Sequence, residues 1–164
     1  MIKGLHHNAY RCRDSEETRR FYEDFLGLPL INAFEITETK SGRATHTLHS
    51  FYAMDDGSCL AFFEAPDQPF VFKAQHDFDL HMALESDAEE VERVTAAAKA
   101  RGVEIRGPVD HGFIRSSYFR DPNGYVVELA VKLPAQAEMM ADHGKARAAL
   151  DAWREARNAQ PALA

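Results

Sequence analysis

The stretch YFRDPNGYVVEL, residues 118–129, contains two strand patterns separated by a turn. Aromatic and β-branched residues favour strands, whereas the Asp-Pro-Asn-Gly sequence between them is typical of a tight turn. The second strand carries Glu128 among apolar residues. Because an ionised carboxylate is costly to bury without a partner, Glu128 is expected to face a hydrogen-bond donor or a cation.

The same order of elements occurs twice along the chain. Each half starts with a histidine in a strand, His7 or His81, and closes with a glutamate in another strand, Glu64 or Glu128. Each half also has a helix that begins at an Asp with a Glu three residues later and ends at a glycine. Three further strands follow each helix. The predicted fold class is therefore α+β, with two tandem β-α-β-β-β modules and a C-terminal helix.

The predicted domain boundaries follow from this repeat. They are one domain at residues 1–132, with module 1 at about 4–66 and module 2 at about 79–132, and a helical tail at 133–164. The proline-containing linker between the modules is expected to lie on the surface. In the tail, a helical segment at 135–160 carries Leu150 and Trp153 on one face, which favours packing against the domain or against a second copy.

The composition argues against several classes of partner. The 164 residues have a formal net charge of -7 and no basic run, so nucleic-acid binding is not expected. No apolar stretch approaches the roughly 20 residues of a membrane-spanning helix. The two cysteines, Cys12 and Cys59, do not form a zinc-ribbon pattern and are expected to be reduced. These features predict a cytoplasmic protein that binds neither nucleic acid nor a membrane.

Four motifs together resemble the vicinal oxygen chelate superfamily, which includes glyoxalase I, bleomycin resistance proteins and extradiol dioxygenases. They are His7 with Tyr10-Arg11, the helix from Asp14 that ends in FLGL at 25–28, the strand at 81–84, and residues 118–129. The resemblance covers residues 4–132. It implies that two modules pair around one divalent metal ion per site (Fe, Ni, Zn, Mn or Co), within one chain or between the two chains of a homodimer.

The predicted metal ligands are His7, His81, Glu128 and Glu64. The first three form a two-histidine, one-carboxylate set that leaves coordination positions open for substrate, and Glu64 would add a fourth oxygen. Side chains alternate along a strand, so only one of the adjacent histidines can face the site. The spacing of the superfamily motif favours His7 over His6.

The resemblance and the ligand set lead to three hypotheses about function. The first is a glyoxalase-type or epimerase-type lyase or isomerase, in which Glu128 and Glu64 are catalytic carboxylates that move a proton. The second is a single-domain Fe(II) extradiol dioxygenase, for which Tyr118 stands at the spacing of a substrate-contacting tyrosine. The superfamily's dioxygenases carry a second-sphere histidine where Glu64 stands, so His46 or His49 would have to replace it. The third hypothesis is a non-catalytic binder of a small ligand.

Overall fold

The computed structural model describes residues 1–159 and contains two four-stranded sheets. The first sheet has the order β1-β4-β3-β2, with strands β1 (His7–Cys12), β2 (Leu30–Glu38), β3 (Ala44–Ala53) and β4 (Cys59–Glu64). The second has the order β5-β8-β7-β6, with strands β5 (His81–Glu85), β6 (Ile105–Asp110), β7 (Ile114–Arg120) and β8 (Val126–Lys132). The pairs β1–β4 and β5–β8 are parallel, and the other pairs in each sheet are antiparallel. The two predicted β-α-β-β-β modules are confirmed.

One helix crosses each module, α1 (Ser15–Tyr22) in the first and α2 (Ala88–Arg101) in the second. Both predicted N-caps are present, since the side chains of Asp14 and Asp87 each accept a bond at 2.8 Å from the backbone N–H three residues later. Helix α2 ends at a left-handed glycine, as expected. Helix α1 ends earlier than predicted, because the chain after Tyr22 continues in wider turns that reach Gly27.

The tail forms two helices instead of the one that was predicted, α3 (Gln136–Ala141) and α4 (His143–Ala159). Asp142 leaves the helical conformation between them, and its carboxylate accepts from Lys145 N at 2.8 Å, which caps the start of α4. The last five residues of the predicted tail, 160–164, lie outside the described residues. No helix within residues 1–159 is long and apolar enough to cross a membrane.

Both modules share one hydrophobic core. It is built from one face of each sheet together with α1 and α2, and it includes the fully buried Tyr22, Phe62, Val94 and Val127. Burying an apolar side chain of this size contributes about 1.5–3 kcal/mol relative to leaving it exposed. Successive strand residues point to opposite faces, so the residues that alternate with these core residues lie on the other face of each sheet. We call that face the outer face.

The turn between β7 and β8 joins the two modules through Asp121. Its buried carboxylate accepts a hydrogen bond from Tyr22 Oη of module 1 at 3.0 Å. It also accepts from Asn123 N and Asn123 Nδ2 at 2.9 Å and from Tyr125 N at 2.8 Å. Asn123 Oδ1 in turn accepts from Arg13 N of module 1 at 2.8 Å. Burial raises the pKa of Asp121, while the hydrogen bonds it accepts oppose the rise.

We expect Asp121→Asn to lower the free energy of unfolding by about 1–3 kcal/mol, because an amide nitrogen would replace an oxygen that accepts hydrogen bonds. Urea unfolding followed by circular dichroism measures the change. Asp56→Asn is the matched control, since Asp56 bonds Ser58 in the corresponding turn of module 1 but is exposed. The control should cost less. Equal losses in the two variants would contradict a special role for the turn that joins the modules.

Candidate metal centre

His81 and Glu128 lie next to each other on the outer face of the second sheet. Their chain neighbours Met82 and Val127 belong to the core, so alternation places the two polar side chains on the opposite face. The parallel strands β5 and β8 pair Ala83 with Glu128, which sets His81 diagonally across from the carboxylate. The distance from His81 Nε2 to Glu128 Oε2 is 3.1 Å.

Each side chain of this pair makes a further hydrogen bond through its other polar atom. His81 Nδ1 lies 2.6 Å from the carbonyl oxygen of Asp77 and must donate to it, because a carbonyl can only accept. The other ring nitrogen, Nε2, is therefore the atom that faces Glu128. Glu128 is only 3% exposed, and its second oxygen accepts from Ser116 Oγ. Contacts of this kind orient metal ligands and fix the histidine tautomer.

The chemistry of the pair fits a divalent cation. Either a proton or a cation must lie between His81 Nε2 and Glu128 Oε2, because two acceptor atoms at 3.1 Å otherwise repel each other. Imidazole nitrogen and carboxylate oxygen are both ligands of divalent transition metals, and affinity alone does not select one of these metals. The structure thus brings together two of the predicted ligands and satisfies their remaining polar atoms.

His7 lies on the outer face of the first sheet, where the structure does not bring it to the His81–Glu128 pair. Its ring is exposed, and its Nδ1 is 2.7 Å from Nδ1 of His6. The outer faces of both sheets are turned away from the same core, so the two parts of the predicted site point away from each other. Within residues 1–159, no three His, Cys, Asp or Glu side chains are grouped so that they could hold a metal ion.

Glu64 does not occupy the place in module 1 that Glu128 occupies in module 2. In module 2 the glutamate comes two positions after Val126, the residue paired with His81. The same position in module 1, two after the partner of His7, is Ala61. The expectation that the two glutamates close matching strands is therefore corrected, because Glu64 stands three residues further along its strand.

The carboxylate of Glu64 lies at the start of helix α1 instead. Glu64 shares the core-facing side of β4 with Phe62, and its Oε2 accepts from Ser15 N at 2.7 Å. A negative side chain stabilises the positive end of a helix dipole and satisfies a free N–H there. Of the four predicted ligands, His7, His81 and Glu128 are thus on outer faces, and Glu64 is not.

Tyr118, the remaining predicted catalytic residue, pairs with Glu128 across β7 and β8 and shares its outer face. The hydroxyl of Tyr118 is 3.0 Å from His111 Nε2, and the guanidinium of Arg106 lies 4.2 Å from the ring centroid. Burial, followed by the charge of Glu128, raises the pKa of Tyr118. A phenol that keeps its proton beside the ligand pair can donate a hydrogen bond to a bound oxygen.

Asp77 and Ser116 contact the candidate ligands His81 and Glu128, and the sequence reasoning missed both. Asp77 holds His81 through its carbonyl and forms an ion pair with Arg106 through its carboxylate. Asp77 and Arg106 border a cavity of about 250 Å³ that also reaches Tyr118. Ser116 could have been found from its spacing of two from Tyr118, which places both on one face. Asp77 acts through its backbone in an irregular linker, and that role leaves no signal in the sequence.

On the first sheet, His49 is the histidine that lies beside His7. The ring centroids of His7 and His49 are 6.3 Å apart. His49 Nδ1 donates to the carbonyl oxygen of Phe62 at 3.0 Å, so its proton is on Nδ1 and its lone pair is on Nε2. Burial lowers the pKa of His49, which favours the neutral ring. His46 is exposed and lies 3.5 Å from Glu35 instead.

The two β-α-β-β-β modules define the class of protein by their fold, and histidines and a carboxylate lie on their outer faces. The model of the Glyoxalase/Bleomycin resistance protein/Dioxygenase superfamily matches residues 4–129. The chain belongs to this superfamily, as its sequence motifs predicted.

Known proteins of this superfamily are similar to the chain over most of its length. A lactoylglutathione lyase of Haemophilus influenzae is 29% identical over 126 residues, which span 74% of this chain and 87% of the relative. A variant of the fosfomycin resistance protein FosX of Listeria monocytogenes, solved with Mn(II) and 1S,2S-dihydroxypropylphosphonic acid, has a TM-score of 0.62 at 23% identity and covers 84% of this chain and 98% of its own. TnmS3, an antibiotic-binding protein of a Streptomyces species, has a TM-score of 0.58 at 22% identity and covers 80% and 98%. The two solved structures share the fold.

We expect His81→Ala and Glu128→Ala each to abolish retention of a divalent metal, because each change removes one of the two paired ligand atoms. Elemental analysis of protein purified without chelator measures the metal content, and circular dichroism checks the fold. Glu64→Gln is the matched control and should keep its metal, since its side chain lies at helix α1. Tight metal binding by either alanine variant would place the centre elsewhere. Loss of metal from Glu64→Gln would return Glu64 to the ligand set.

Proposed function

We propose that the protein is a divalent-metal-dependent enzyme that acts on a small substrate held through two adjacent oxygens. The observation that carries this proposal is the 3.1 Å approach of His81 Nε2 to Glu128 Oε2, with the other side of each group already satisfied. His7, His81 and Glu128 would be the protein ligands, and three ligands leave positions open for substrate. When bound, the ion would polarise the substrate oxygens and acidify a neighbouring C–H bond. The FosX complex with Mn(II) is an example of this fold holding such an ion.

The proposed site combines two copies of the chain. In one copy the outer faces that carry His7 and the His81–Glu128 pair are turned away from a common core. A two-fold dimer removes this difficulty, because each copy can offer His7 to the pair of the other, and both sites then form together. The exposed Leu150 and Trp153 of helix α4 support an association of this kind.

Proton transfer is the reaction that we put first, and the similarity to a lactoylglutathione lyase supports it. Glu64 is not available as the base, since its carboxylate is bound at helix α1. His49 takes its place in the proposal, because its neutral ring lies beside His7 and keeps a lone pair on Nε2 that can accept a substrate proton. The protonated hydroxyl of Tyr118 would donate a hydrogen bond to the oxygen on which negative charge develops.

A second candidate is an Fe(II)-dependent extradiol ring-cleaving dioxygenase. Two observations favour it over a third hypothesis of simple ligand binding. Two histidines and one carboxylate, the proposed ligand set, are the ligand types typical of non-haem iron oxygenases. His49 also supplies, from β3, the additional histidine that such an enzyme would need.

Mixing two inactive variants tests the shared site. His7→Ala and His81→Ala should each bind no metal, but refolding them together at equal amounts should restore about a quarter of the wild-type metal content. Random pairing makes half of the dimers mixed, with one copy of each variant. Each mixed dimer has one complete site and one site that lacks both histidines, so a quarter of all sites are complete. A site contained in one chain would show no recovery, since every chain lacks a ligand.

Substrate tests separate the two candidate reactions. With a hemithioacetal in D2O, the metal-loaded protein should exchange the carbon-bound proton, and His49→Gln should slow this exchange at least about 100-fold. His46→Gln is the matched control and should leave the rate near that of the wild type, because His46 is exposed away from His7. The dioxygenase would be favoured if no exchange occurs and the Fe(II)-loaded protein converts catechols to yellow ring-cleavage products.

A further inference from the structure

We infer that the substrate carries an uncharged aromatic ring, which packs on a cluster of aromatic side chains beside His7. The cluster consists of Phe34, His49, Phe51 and Phe63, and we call it the aromatic wall. This inference rests on the proposed metal centre, because it assigns the group that is attached to the two adjacent oxygens.

The aromatic wall is continuous and reaches the ring of His7. Phe34 and Phe51 are stacked, with centroids 6.0 Å apart and ring planes at 22°. His49 and Phe63 are stacked more closely, at 3.7 Å and 12°, and His49 links the two pairs at 4.3 Å from Phe51. The ring of Phe51 is 5.5 Å from that of His7. A planar group held at His7 therefore meets aromatic rings at ordinary stacking distances.

The aromatic wall belongs to the outer face of the first sheet and not to the core. Phe34 is 44% exposed, and Phe51 and Phe63 are half-buried. Burying such apolar surface under a flat ligand is favourable, at roughly 25 cal/mol for each Å² removed from water.

The side chains around the aromatic wall favour an uncharged ring. The neighbouring outer-face positions of strands β2, β3 and β4 are Asn32, Ile36, Thr47 and Ala61, none of which is charged. The one cation on the outer face of β1 is Arg11, which pairs with Phe63 across the strands. Its Nη2 donates to the carbonyl oxygens of residues 65 and 68, and its guanidinium lies 5.1 Å from the ring centroid of Phe70. A phosphate or carboxylate on this side would meet only this guanidinium, which is held by these contacts, whereas a phenyl-like ring would be stacked.

The position of the aromatic wall favours a substrate over a second copy of the chain as its occupant. Phe51 and His49 both border His7, which the proposed centre uses as a ligand. A side chain of the second copy that covered these rings would also cover the place where substrate must reach the open positions. The ring of a bound substrate can lie there without closing the site.

Two small chelators that differ only by a ring test the inference by binding, without any turnover. Acetohydroxamate and benzohydroxamate both bind a metal through two adjacent oxygens, and their affinities for the Zn(II)-loaded dimer can be measured by calorimetry. After correction for their different affinities for free Zn(II), we expect benzohydroxamate to bind the protein about tenfold more tightly than acetohydroxamate does. Phe34→Ala and Phe34→Leu should each reduce this preference, with Phe34→Ala losing most of it, while binding of acetohydroxamate stays within about twofold.

Phe70→Ala is the matched control, since Phe70 is 45% exposed but packs against Arg11 and Phe72 away from His7. It should keep the wild-type preference. Equal preference in the wild type and in Phe34→Ala, with both chelators bound, would overturn the aromatic site and leave the metal centre intact. Failure of both chelators to bind the Zn(II)-treated wild type would overturn the metal centre and the aromatic site together.

Discussion

The buried carboxylate of Asp121 is the interaction on which the arrangement of the modules depends. It lies in a turn of module 2, yet it accepts a hydrogen bond from Tyr22 in the helix of module 1, and its neighbour Asn123 accepts another from the backbone of Arg13. A buried carboxylate without donors would be strongly unfavourable, so this turn holds both modules in one relative position. That position joins the core-facing sides of the two sheets. Their outer faces, with His7 on one and the His81–Glu128 pair on the other, are turned outwards as a result.

The linker between the modules also orients the candidate centre. Asp77 holds His81 through its carbonyl oxygen, and its carboxylate is paired with Arg106, which in turn lies over the ring of Tyr118. The linker is therefore more than a connection across the surface. It joins His81, Tyr118 and the edge strand of the second sheet in one set of contacts, and contacts of this kind orient the ring of a histidine.

Much of the fold could be predicted because its signals are local. The caps at Asp14 and Asp87 each depend on residues within one element. Alternation along the first strand was enough to predict that only one of His6 and His7 can face a shared site. The end of helix α1 was harder to predict. Gly27 does terminate the segment, but the chain reaches it through wide turns, and the spacing of the apolar residues is the same for such turns as for a helix.

The sequence by itself determined the two modules, the caps of their helices and the residue types of the candidate metal centre. Only the tertiary structure decided that Ala61, and not Glu64, is the counterpart of Glu128. This depends on the register between β1 and β4, which are far apart in sequence and pair in parallel, and a shift of one residue there moves a side chain to the opposite face. The separation of His7 from His81 and Glu128 is decided in the same way, since it follows from which faces of the sheets bury the shared core.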